Sequence, residues 1–123
     1  MALAVAACGM PLRSTNQMKH DDFLVLDSHL DTPLVLDRAG FDITRRHDWR
    51  RDYAQVDLPR MREGGLDGGF WVIYTAQDAL TKRGYAKALA HARHRNQVID
   101  EMLRVQSADF ELAARAADAP HIA

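Results

Sequence analysis

Two apolar, β-prone runs with a helix signature between them restrict this chain more than any other feature. Phe23-Leu24-Val25-Leu26 runs into Asp27, and four consecutive apolar residues of this kind predict a buried strand over residues 23–27. Phe70-Trp71-Val72-Ile73-Tyr74-Thr75 predicts a second. Aromatic and β-branched residues dominate it and neither face is polar, as in a parallel strand covered on both sides. Residues 56–65 fit a short helix, with Asp57 as N-cap, Pro59 in the first turn and Gly64-Gly65 as the stop. Strand, helix and strand in this order make a βαβ unit with a right-handed crossover, so the expected fold class is α/β.

The first strand leads into Asp27-Ser28-His29-Leu30-Asp31. Alternation along a strand puts His29 and Asp31 on one face. An imidazole nitrogen beside a carboxylate oxygen is half of a divalent-metal site. Thr32-Pro33 follows and ends the ladder, because proline has no N–H to donate. The pair therefore falls at the C-terminal end of a strand, where α/β barrels keep their chemistry. A plainer reading stays open, in which His29 caps the strand and Asp31 caps the helical turn begun by Pro33.

Elsewhere the patterns are structural. Residues 34–38 suit one or two helical turns, closed by Gly40. Residues 41–53 carry Arg45, Arg46, Arg50 and Arg51 among Asp42, Asp48 and Asp52, with no apolar period, and are expected to cross the surface as a long excursion. The mixed signs there and a net charge of −1 oppose binding to nucleic acid or to an anionic membrane. Trp49 is a candidate anchor to the domain surface, or a subunit contact in a homodimer. A long helix is expected from 80 to about 106, with Tyr85, Leu89, Ala92, Ile99, Met102 and Leu103 as its apolar stripe. His91 and His94 stand at i, i+3 on it, but Arg93 and Arg95 beside them oppose a cation, so a solvated face is expected. Ser107-Ala108-Asp109 breaks the helix. Residues 110–113 suit a short extended piece, and Asp118 with Pro120 the start of one more helix.

With 123 residues and 47% hydrophobic content, the chain can form one modest core and not a full enzyme barrel. Its one cysteine, Cys8, excludes an internal disulfide. Val5-Ala6-Ala7-Cys8 resembles the bacterial lipobox, in which the cysteine is lipidated. No Lys or Arg precedes it and its apolar part is short, so a truncated lipoprotein signal and a chance cysteine are both open. Residues 1–22 are expected to be a tether, with residues 23–123 as the folded part. A real signal would place the protein in a bacterial periplasm or as a membrane-anchored lipoprotein; otherwise it is expected to be cytoplasmic.

Leu26-Asp27-Ser28-His29-Leu30-Asp31-Thr32-Pro33 resembles the opening motif of the membrane (renal) dipeptidase family of zinc metallopeptidases. The likeness continues through Gln55-Val56-Asp57-Leu58-Pro59-Arg60-Met61-Arg62-Glu63-Gly64-Gly65 and on through Leu66-Asp67-Gly68-Gly69-Phe70-Trp71-Val72-Ile73-Tyr74-Thr75. Ser28 and Leu30 stand where many relatives carry glycine and asparagine. The resemblance implies the N-terminal part of a (β/α)8 TIM-type barrel with two zinc ions at its mouth, acting on dipeptides. His29 and Asp31 match the ligands of one zinc. It also implies a bridging glutamate and further histidines. Glu101 and Glu111, on the long helix and its exit, do not fit the bridge, so these groups are expected beyond Ala123. No catalytic residue is therefore assigned within the chain. Two alternatives remain: a non-catalytic remnant or interaction domain, or another metal-dependent amidohydrolase or phosphoesterase.

Overall fold

The computed structural model describes residues 23–122. The expected tether over residues 1–22 and the lipobox with Cys8 lie outside the described residues. Strand β1 covers Leu26–Leu30 and strand β2 covers Gly68–Trp71, paired in parallel. Helix α2, Leu58–Gly64, lies between them in sequence. Short helix α1 covers Trp49–Asp52, long helix α3 covers Lys82–Val105, and α4 covers Ala119–Ile122.

The βαβ order is as expected, but both strands are displaced. β1 begins three residues later than the apolar run, so His29 lies inside the strand rather than after it. β2 begins at Gly68 and ends at Trp71, before most of its predicted residues. The glycines explain the second shift. A Cβ on Gly69 would stand 2.6 Å from Leu30 Cδ1 and 2.8 Å from the Asp27 carbonyl oxygen, so the closest strand approach occurs where there is no side chain. Burial also departs from expectation. Leu30 is buried, but Leu26 and Phe70 are exposed, because each strand has one paired neighbour among the described residues. Residues 110–113 form no strand.

Helices α2 and α3 follow the sequence signals closely, whereas the helical turns expected over residues 34–38 give way to a 3₁₀ turn at Thr32–Leu34. Asp57 caps α2 by accepting from the Arg60 N–H, Pro59 sits in the first turn, and Gly65 ends the helix at φ 65°. α3 starts on Thr81, whose hydroxyl accepts from the Gly84 N–H. Its buried side is carried by Met102, while Tyr85 and Leu89 of the expected stripe are exposed. The core gathers Leu30, Val35, Ile43, Ala54, Leu58, Met61 and Met102.

The segment over residues 41–53 is not a plain surface excursion. Ile43 is buried, its carbonyl accepts from the Leu58 N–H at 2.8 Å, and α1 forms within it. The His47 ring stacks on Phe41 at 4.3 Å. Its Nδ1 meets Asp52 Oδ2 at 2.6 Å and its Nε2 meets the Asp42 carbonyl at 2.8 Å. Asp57, fully buried, accepts from the His47 N–H, the Arg60 N–H and Arg60 Nε at 2.7–2.9 Å. No period marks this segment because polar side chains, not an apolar face, organise it. Trp49 remains exposed, with the Arg50 guanidinium over its ring.

Candidate metal centre

The register of the two strands shapes the end of β1. Asp27 pairs with Gly69 and Leu30 with Trp71, so three steps on β1 face two on β2. One extra residue is therefore accommodated across Ser28 and His29, and such bulges re-aim side chains at strand ends. The His29 N–H leaves the ladder and donates to Asp27 Oδ1 at 2.8 Å. Asp27 thus compensates the irregularity that presents the His29 ring. The Asp-x-His spacing carries that signal, since Asp side chains bond backbone two residues on, but it is a weak one.

Beyond the bulge, His29 Nε2 and Asp31 Oδ1 stand 3.5 Å apart, both well exposed. Two ligands of a tetrahedral zinc with bonds of about 2.0–2.1 Å are separated by about 3.3 Å. The nitrogen and oxygen are the right donor types at very nearly that separation. The capping alternative for Asp31 is not realised: it occupies the N-cap of the 3₁₀ turn Thr32–Leu34, yet its side chain makes no capping hydrogen bond. Its carbonyl serves the turn instead, accepting from the Leu34 N–H at 2.9 Å. The carboxylate is therefore left to face His29. Two donors do not complete a site. Among the described residues no three His, Cys, Asp or Glu side chains come together in a group able to hold a metal ion.

The turn after the pair is held from α3. Arg95 Nη1 donates to the Pro33 carbonyl at 2.5 Å and to Asp37 Oδ1 at 3.1 Å, while His94 Nε2 lies 2.9 Å from Asp37 Oδ2. The His94 hydrogen bond, opposed by partial burial and aided by the Arg95 charge, holds the Asp37 carboxyl below its ordinary range. His94 is exposed as expected, yet its ring is hydrogen-bonded to Asp37 rather than freely solvated; Arg95 was legible only as a charge beside it. These contacts join residues 57 to 62 positions apart, and no local pattern announces them.

Glu101 pairs with Arg104 on α3, and Glu111 is exposed beyond the helix end. No helix among the described residues is long and apolar enough to cross a membrane. No curated protein matches the chain. The sequence profile of the membrane dipeptidase family (peptidase family M19) matches residues 14–123, nearly its whole length. The chain belongs to the membrane dipeptidase family, a family of metal-dependent hydrolases.

Proposed function

We propose that this chain supplies the first two zinc ligands, His29 and Asp31, of a dizinc dipeptidase built on a TIM-type barrel. The observation that carries the reading is the 3.5 Å approach of His29 Nε2 to Asp31 Oδ1 at the C-terminal end of β1, in a chain of this family. Barrel enzymes place their chemistry at that end of their strands. His29 would bind through Nε2, and Asp31 through the carboxylate that the turn does not use. The chemistry supplied with zinc in place is Lewis acidity, which lowers the pKa of water and polarises a carbonyl oxygen. The remaining donors, including the bridging carboxylate, come from outside the described residues. Dipeptides are the proposed substrates, and exposed Trp49 is the proposed contact of a homodimer. A periplasmic or lipid-anchored location, through Cys8, is proposed from the lipobox alone.

The test is made on the complete enzyme that contains this chain. His29→Ala and Asp31→Ala should each remove about one zinc per protomer and lower dipeptide hydrolysis by orders of magnitude, with far-ultraviolet circular dichroism unchanged. Both side chains are exposed and little packing depends on them. Equal zinc content in wild type and His29→Ala, by elemental analysis of folded protein, overturns the reading.

A further inference from the structure

We propose that Arg95 of α3 is a positioning residue for the His29–Asp31 pair, an inference that rests on the metal reading given above. Asp31 has no capping hydrogen bond of its own, so its carboxylate direction follows the backbone of the 3₁₀ turn that starts on it. That turn is short. It is closed by Leu34 N–H on the Asp31 carbonyl and Val35 N–H on the Thr32 carbonyl, at 2.9 and 3.0 Å. Hydrogen bonds of this tight class hold only brief segments, and they need support from elsewhere. Arg95 gives that support: its guanidinium donates to the Pro33 carbonyl at 2.5 Å, and its side chain is only 18% exposed.

The same guanidinium is fixed from the other side. Asp37, one turn further along the chain, accepts from Arg95 Nη1 at 3.1 Å and is also held by His94 at 2.9 Å. Both contacts come from Nη1, whose two N–H groups supply one donor to the carbonyl and one to the carboxylate, and the positive charge strengthens each. α3 is therefore tied at one residue to both ends of the segment between Pro33 and Asp37. Release of Arg95 frees the turn, widens the range of His29–Asp31 separations and weakens the half-site without touching either donor.

The experiment uses the complete enzyme that contains this chain, with zinc ion as probe, followed by nuclear magnetic resonance at the His29 ring. In wild type the His29 signals should move saturably with zinc. In Arg95→Gln, whose amide is uncharged and ends a shorter side chain, the midpoint should rise on the order of tenfold, and Arg95→Lys, which restores the charge, should recover part of the loss. Circular dichroism and the melting temperature separate this from general unfolding, because local zinc affinity would then change while both stay near wild type. Asp37→Asn is the second variant. It leaves Arg95 and α3 in place but removes the charge that fixes the guanidinium, and its midpoint should also rise. A wild-type complete enzyme in which His29 ignores zinc overturns the metal reading itself. A responsive wild type with unchanged midpoints in Arg95→Gln, or in Asp37→Asn where the glutamine variant fails to fold, overturns the positioning role alone.

Discussion

Thr32 stands between the candidate ligand Asp31 and the proline that ends the strand, and it is buried with no hydrogen-bond partner for its hydroxyl among the described residues. An unsatisfied buried polar group carries a desolvation penalty of about 1–3 kcal/mol. Thr32→Val keeps the shape and removes the hydroxyl. Chemical denaturation should therefore show the valine variant to be at least as stable as wild type, and a loss of more than about 1 kcal/mol would reveal a hydrogen bond that Thr32 makes elsewhere. At this scale the sequence was a better guide to which side chains stand together than to how they are held. The nearness of His29 and Asp31 was legible from their spacing, whereas the bulge that re-aims His29 was not. The choice between capping and facing a partner was not, since Asp31 occupies the N-cap position in either case.

Among the elements, α2 was the most legible, because its start and stop are written in adjacent residues: Asp57, Pro59 and Gly65. The wider duty of Asp57 was not. Its carboxylate, fully buried, receives the His47 N–H and the Arg60 guanidinium as well as the first turn of its own helix. Arg60 in turn reaches the Ala54 carbonyl at 2.6 Å. One side chain thereby joins α2 to the segment before it. Asp57→Ala would strand three donors and the partly buried Arg60 charge, and a loss of about 3–5 kcal/mol in unfolding free energy is expected, well beyond the ~1 kcal/mol of an ordinary cap. Denaturant unfolding checks this directly. The strands were less legible than α2, since their boundaries depend on each other. The glycine at position 69 admits Leu30 and the Asp27 carbonyl, and the extra residue on β1 shows only once the partner strand is in place. Gly69→Ala is accordingly expected to disturb the pairing, shifting the amide resonances of Asp27 and Leu30 in the nuclear magnetic resonance spectrum.

For the molecule as a whole, the apolar runs at residues 23–26 and 70–75 specify strands covered on both faces, whereas the described residues supply one neighbour for each, and Leu26 and Phe70 stay exposed. Pattern encodes the environment a strand is suited to, not the neighbours present, so α/β class was readable and burial was not. The polar segment over residues 41–57 was the least readable part, and it gives the molecule a distinct pH response. Burial pulls the His47 pKa down, but the Asp42 carbonyl, the Asp52 carboxylate and the nearby Asp57 charge outweigh it, so the folded value is raised. Both ring nitrogens face acceptors, and only the imidazolium can donate to both. Its contribution is complete below the unfolded value of about 6.5 and is lost as pH rises through the higher folded value. Asp57 has the opposite sign: burial pushes its pKa up, but the hydrogen bonds from His47 and Arg60 prevail and lower it. Its contribution is present above the unfolded value of about 3.9 and is lost as pH falls through the lower folded value. The melting temperature should therefore be highest between about pH 4 and pH 6.5 and decline on either side. In His47→Asn the alkaline decline should flatten while the acid one persists, because the variant has no proton to lose at position 47. An alkaline decline of the same depth in wild type and variant would show that the His47 contacts do not set this limb.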